Sequence, residues 1–411
     1  MSQARPPRPC GHRARAWRRP TGALLVALAL LVAGTAHAAD AMPAMGKARA
    51  PELGSSALFA PDGQLLAVSK QGDHVLLYRS GDTGQTWSAP AVVNAAPEPI
   101  SADGENRPKL ALTRDGAVLV TWTRPLGKPY SGAIRLARAE DGKTFVPPLT
   151  VHRDPAEITH RFESLAVGPD DTVLVTWIDK RDLEAAKAGK TPYRGAAIYS
   201  AVSHDSGRSF APERKVADYS CECCRIAVTH DRDGAPLLFW RHVFAPNERD
   251  HALARLKPDG TPEAVQRATF DRWKIDGCTH HGPSLAVDAQ GLRHAVWFNE
   301  KDGAGRVHYG RLSGGADGLR VEGQRTVGGP RAAHADLIVA GQRLAIAWKE
   351  FDGERTRLHA QVSRDGGQTF VVQELAATEG ASDQPRLLAR GEALYVFWRT
   401  EKEHFRVLSM P

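Results

Sequence analysis

Several features are scarce in this sequence, and each scarcity removes a class of protein. Beyond residue 38 no apolar run is long enough to cross a bilayer, so no transmembrane helix is expected in the body of the chain. No basic run with interleaved aromatic residues occurs there either, which leaves nothing to neutralise a nucleic-acid backbone. The formal charge of +7 falls to +1 once the six arginines of residues 1–38 are set aside. No apolar stripe of helical period interrupts the chain, so the regular structure is expected to be β throughout.

What is present begins with the N-terminus. Six arginines and no acidic residue surround and precede the apolar run Gly22 to Ala33, and Ala36-His37-Ala38 follows with the small residues a signal peptidase needs. Residues 1–38 are expected to be a signal peptide cleaved near Ala38, and residues 39–411 a soluble, monomeric protein of the periplasm or the medium. Met42 and Met45 fall in a Pro- and Gly-containing stretch expected to be an unstructured mature N-terminus.

About 373 residues are many for one hydrophobic core, but repeat architectures escape that limit because each unit packs only on its neighbours. Seven units repeat an apolar alternating segment, a Gly- or Asp-containing turn and a second alternating segment. Six of the second segments end in tryptophan, at Trp122, Trp177, Trp240, Trp297, Trp348 and Trp398, with spacings of 55, 63, 57, 51 and 50 residues. That spacing suits a four-stranded blade with its loops. The reading is a single all-β propeller of seven blades, with six as the alternative. The last unit has room for three strands, and residues 39–54 are the candidate for a fourth.

In four units the third strand runs into a turn of the form Ser-x-Asp-x-Gly-x-Thr-aromatic: Ser80 to Trp87, Ser203 to Phe210, Ser363 to Phe370 and a variant, Arg138 to Phe145. An acidic side chain accepting backbone N–H groups, a glycine with positive φ and an aromatic plug make a self-contained hairpin turn. These turns resemble the Asp boxes of the sialidase-like, BNR-repeat superfamily over nearly all of residues 39–411. The resemblance implies that the boxes are structural and lie on the face opposite the active site, so Asp82, Asp205 and Asp365 are not candidate catalysts.

The other face is where ligand chemistry is expected. Polar residues recur just before the innermost strands, at Asn106-Arg107, His160-Arg161, Cys224-Arg225, His280-His281, His334 and Asp383-Gln384, and after the second strands at Arg124, Asp179, Arg181, Arg241, His242, Asn299, Glu300, Lys349, Glu350 and Arg399. The densest group is Cys221-Glu222-Cys223-Cys224, with Cys278-Thr279-His280-His281 at the equivalent place of the next unit and His334 beyond. Thiolate and imidazole suit copper or zinc, and the lack of clustered carboxylates argues against calcium or magnesium there. Four cysteines in an oxidising compartment allow two disulfides as the alternative. A propeller with histidines converging on copper resembles nitrous oxide reductase in architecture, without that enzyme's cupredoxin domain.

The resemblance to sialidases implies a competing function, hydrolysis of acidic glycosides. Arg107, Arg161 and Arg225, with Asp383 nearby, are the candidate substrate-binding set, the arginines acting as a carboxylate clamp. The family's catalytic tyrosine has no match at a channel position, since Tyr199 and Tyr395 read as packing residues, and the acid stays open among Asp103, Glu105 and Glu163. A third reading is a propeller that binds a glycan or a protein without turnover. Residues 182–188 are expected to form a short helical insertion on the rim.

Overall fold

The computed structural model describes residues 51–411 apart from Cys278, Asp302, Ala316 and Asp317. The expected signal peptide, Met42, Met45 and Cys278 lie outside the described residues.

Seven antiparallel sheets follow one another along the chain, six with four strands and the last with three. They span residues 55–92, 109–150, 160–220, 227–267, 284–327, 332–378 and 386–409, here blades 1 to 7. Every blade is a simple meander. Its first strand neighbours the first strand of the next blade, and Ser55–Phe59 meets Arg386–Arg390 to close the ring. The molecule is a seven-bladed propeller, as the repeat count predicts. The helix Arg181–Ala188 sits between the second and third strands of blade 3, within a residue of the expected insertion.

Short alternating segments make these strands because β-branched and aromatic side chains pack well on a pleated surface. The second strands, such as Val118–Pro125 and Val173–Asp179, are almost wholly buried, since both of their faces meet other blades. Their six tryptophans are at most 2% exposed and are the largest fully buried side chains. A buried indole usually finds a partner for its N–H, and five of the six do. Trp122 donates to Glu98 at 2.8 Å, Trp177 to Asp179 at 2.9 Å, Trp297 to Asp271 at 3.1 Å and Trp348 to Glu350 at 2.7 Å. Trp398 donates to the Asp383 carbonyl at 3.0 Å.

The four expected turns share one hydrogen-bonding scheme. Asp82 accepts the Thr86 N–H at 2.9 Å and its hydroxyl at 2.6 Å, while Ser80 accepts the Gly84 N–H at 2.7 Å. Asp205 and Asp365 repeat it with Ser209 and Thr369. In the variant turn the role passes to Asp141, which accepts the Thr144 N–H at 2.6 Å. Gly84 has a φ of 86° and lies so close to Val407 of blade 7 that a Cβ would overlap it. Glycine is therefore required there on two counts.

Among the described residues blade 7 has three strands, and a buried ion pair ties it to blades 1 and 2. Residues 51–54 form no strand, and residues 39–50 lie outside the described residues. Arg107, on the loop leading into blade 2, makes two parallel bonds of 2.8 Å to Asp383, on the loop leading into blade 7. The same guanidinium donates to the Ser55 carbonyl at 2.8 Å, and Asp383 accepts the Ser55 N–H at 3.0 Å. Blades 7, 1 and 2 are thus tied at one point, with both side chains 3% exposed or less.

Removing one partner of a buried, bidentate pair leaves an uncompensated charge, at a cost of about 3–5 kcal/mol. Asp383→Ala is expected to lower the urea midpoint accordingly, whereas Lys402→Ala, which breaks the exposed Lys402–Glu379 pair, shifts stability by less than about 1 kcal/mol. Equal shifts would remove the latch from the account.

Acid supplies a second test. Hydrogen bonds from Thr86 and Ser80 pull Asp82 down to about 2, and those from Ser203 and Ser209 outweigh burial to bring Asp205 to about 2. A carboxyl depressed on folding stabilises the fold above its unfolded value of about 3.9 and loses that contribution as pH falls through the folded value. Urea midpoints measured from pH 5 to 2 should fall most steeply below about pH 4, and Asp82→Asn should be less stable at pH 5 but show a shallower fall.

Candidate functional site

The face opposite these turns carries the loops that lead into the innermost strands. Near the start of three innermost strands the backbone passes through the left-handed region, with φ of 53° at His280 in the approach loop to blade 5 and, within the first strands of blades 3 and 6, 58° at Phe162 and 55° at His334. In blades 3 and 6 the pairing of the first two strands slips at Thr176/Ile178 and Ala333/Asp336. Such bulges re-aim side chains, and the residues beside them here are His160 and Arg161 in blade 3 and His334 and Asp336 in blade 6.

Two of the three candidate arginines are committed to the protein itself. Arg107 is spent on Asp383, as described, and also donates to Gln384 at 3.1 Å. Arg225 donates to the Pro283 carbonyl at 2.8 Å and the Ala335 carbonyl at 2.7 Å, with Asp336 at 3.7 Å and Glu105 at 3.8 Å. It therefore staples blade 4 to blades 5 and 6. Arg161 is different. Its side chain is 14% exposed, lies 3.6 Å from the half-exposed Asp103 and covers the Phe162 ring at 5.1 Å.

Below the mouth, a cavity of about 130 Å³ is lined by Ser56, Glu105, Arg107, Lys109, Arg225 and Arg386, among others. Burial opposes the charge on Glu105, but Arg225, then His334 and the Gly282 N–H, hold the carboxyl well below the usual range. Burial pushes Lys109 down to about 8 against the opposing pull of Glu163, 3.6 Å away. Glu105 Oε2 and Glu163 Oε1 have no hydrogen-bond partner among the described residues. Asp336 accepts the Leu387 N–H at 2.9 Å and the Ser284 hydroxyl at 3.0 Å, and it faces Arg386 at 3.4 Å. Lys109, Asp336 and Arg386 escape the sequence reading because they stand within the innermost strands, where only the period-two alternation marks them as inward.

The cysteines and histidines separate into two groups. Cys221, Cys223 and Cys224, on the loop into blade 4, are 1%, 5% and 3% exposed. Their sulfur atoms all lie within 4.8 Å of one another, with Cys221 4.0 Å from Cys223 and 3.9 Å from Cys224. Phe162, Ile178, Ile226 and Trp240 belong to the same apolar cluster, and Arg249 directs an N–H at the Cys221 sulfur from 3.7 Å. Interaction with Cys221 and burial push the Cys224 thiol up. No histidine nitrogen joins that group among the described residues.

The histidines of the next blades form their own stack. His281 lies flat between Phe298 at 4.1 Å and His334 at 4.3 Å, and His334 Nδ1 is 3.9 Å from Glu105. Burial, then the neighbouring His334, push His281 down to about 3, which keeps it neutral. His280 is exposed.

A third group, Asp154, His160 and Asp179, also brings three ligand-type atoms together. His160 and Asp179 face each other across the strand pair, a register that no spacing in the sequence reveals. The Arg181 guanidinium already lies on both carboxylates, 2.8 Å from Asp179 and 3.4 Å from Asp154, so a permanent cation satisfies this group. Tyr199 donates to Asp182 at 2.8 Å on the rim, and Tyr395 contacts Arg390.

Comparison with known proteins yields likeness of fold. Neither a protein-family model nor a curated relative matches the sequence. Among solved structures, a polysaccharide lyase of family PL25, an ulvan lyase, is 11% identical over 88% of this chain and 92% of its own, with a TM-score of 0.55. A protein of unknown function from Dyadobacter fermentans DSM 18053 is 14% identical over 74% of this chain and 92% of its own, at 0.51. The Hadza microbial sialidase Hz136 is 14% identical over 82% of this chain and 74% of its own, at 0.50. The blade count, the meander order and these likenesses agree on the fold: the chain is a seven-bladed β-propeller similar to those of a sialidase and an ulvan lyase.

Proposed function

We propose that this protein is an exported propeller that binds a soft transition metal, copper first and zinc second, at the mouth of its channel, in metal handling or redox chemistry. The observation that carries the reading is the convergence of three buried cysteine sulfurs within 4.8 Å. Thiolates select copper(I) and zinc over harder cations, and Cys278 is the fourth sulfur the sequence offers. Arg249, beside Cys221, supplies positive charge against an anionic thiolate cluster. His280, His281 and His334 are left to a neighbouring subsite rather than to the first ring of ligands.

A glycan is the second ligand class, supported by fold neighbours that include an ulvan lyase and a sialidase. Against a sialidase-type clamp, Arg107 and Arg225 already serve protein carboxylates and carbonyls. Arg161 is the arginine left to meet a ligand.

Metal analysis of protein recovered from the periplasm, with mass measurement before and after thiol alkylation, tests the first reading. About one equivalent of copper or zinc is expected, falling below about 0.1 in Cys224→Ser, because structural thiolate sites bind tightly at neutral pH. Two disulfides and no metal in the unaltered protein would sink it. Turnover of a fluorogenic sialoside, abolished in Arg161→Ala, would instead establish the hydrolase.

A further inference from the structure

The small cavity beneath the mouth holds a nucleophile that the metal and glycan readings leave unused. Ser56, Lys109, Ser164, Ala227, Ser284 and Arg386 line it, one from each of six innermost strands, so it lies in the central channel itself. A wider space of about 870 Å³ continues from it between Leu58, Leu112 and Val167 and reaches the turns at Pro61, Arg114 and Gly234, at the end opposite the mouth. Leu165 lines both spaces. A small molecule therefore has a way in from that end.

Lys109 opens the innermost strand of blade 2. Its nitrogen donates to the Arg107 carbonyl at 2.8 Å and the Glu105 carbonyl at 3.3 Å. Glu163 Oε1, which has no hydrogen-bond partner among the described residues, lies 3.6 Å away. The other oxygen of that carboxylate accepts the Thr123 hydroxyl at 2.7 Å, which holds the group in place. The third ammonium proton thus has a carboxylate beside it to go to, while the two that remain stay on the carbonyls and the lone pair is left for attack. Burial brings the amine down to about 8, against about 10.4 for an ordinary lysine. A desolvated lysine that gives up its proton readily is the side chain that forms Schiff bases with carbonyl compounds.

Charge and size select the partner. Arg107, Lys109, Arg225 and Arg386 face Asp383, Glu163, Glu105 and Asp336, four charges of each sign, so the channel draws in neither an anion nor a cation. A volume of about 130 Å³ is well below the roughly 300–1,000 Å³ of ordinary small-molecule sites, so the guest has only a few non-hydrogen atoms. Glu105 Oε2, buried and likewise without a hydrogen-bond partner among the described residues, is an acceptor for a hydroxyl on that guest.

We infer that Lys109 is a reactive lysine that captures a short, uncharged hydroxyaldehyde as an imine inside the channel. Glu163 takes one proton from the ammonium group. The amine nitrogen then bonds to the aldehyde carbon and passes a second proton to the carbonyl oxygen. Glu163 returns its proton to the hydroxyl so formed, and the carbon–oxygen bond breaks to release water. The iminium product keeps the positive charge beside Glu163, so the charge balance of the network is unchanged. Neither the cysteine cluster nor a metal takes part.

Glycolaldehyde with cyanoborohydride, which reduces an imine to a stable secondary amine, is the probe, and peptide mass mapping of the full protein reads the labelling rate at each lysine. At about pH 7.5, Lys109 is expected to be labelled at least about tenfold faster than the exposed Lys187 and Lys402, and its rate should level off above about pH 8 while theirs keep rising. With glyoxylate, the matched anion, the preference for Lys109 should shrink at least about threefold. Glu163→Gln should slow the labelling of Lys109 about tenfold, whereas a carboxylate that merely paired the ammonium would, once removed, leave the amine more neutral and the labelling faster. Labelling of Lys109 no faster than that of Lys187 and Lys402, an undiminished preference with glyoxylate, or faster labelling in Glu163→Gln would overturn the proposal.

Discussion

The buried pair between Arg107 and Asp383 is the constraint on which the ring depends. A propeller is a closed chain of blades that each touch only two neighbours, so one weak junction opens the whole. Here the junction between blades 7 and 1 lacks a fourth strand in blade 7 among the described residues. The bidentate pair, with Ser55 bonded to both partners, replaces ladder hydrogen bonds by charge-assisted ones. Because it sits in the approach loops, the latch also shapes the channel mouth.

That placement has a consequence for chemistry. Arginines at a channel mouth suggest capture of an anionic substrate, yet Arg107 and Arg225 are satisfied internally, and the cavity beneath them pairs its cations with Glu105, Glu163 and Asp336. A balanced, desolvated network of this kind holds blades in register more than it attracts a ligand. Next to this network, on the loop into blade 4, three sulfurs converge in an apolar setting and Cys224 leads directly into Arg225. Cysteine cluster and channel network are thus one residue apart along the chain.

Much of the fold was legible in the sequence. Tryptophans at blade spacing and four turns with the same polar scheme record a repeat that packing enforces, and the short last unit holds the three strands it had room for. The rim helix was marked by its Glu-, Ala- and Lys-rich run. The site was less legible. Sequence position put Cys221 to Cys224 and His280, His281 and His334 at equivalent places on successive blades, but equivalent places on a ring are not adjacent points in space: His281 stacks between Phe298 and His334, and His280 is exposed. Nor could spacing tell that Asp383 would face Arg107 across 276 positions.

The central claim is that three cysteine sulfurs of the loop into blade 4 share one soft metal ion. X-ray absorption at the copper or zinc edge of the protein as isolated tests it most directly. The account predicts a first shell dominated by three or more sulfur atoms at about 2.3 Å, and a shell of nitrogen and oxygen alone would contradict it.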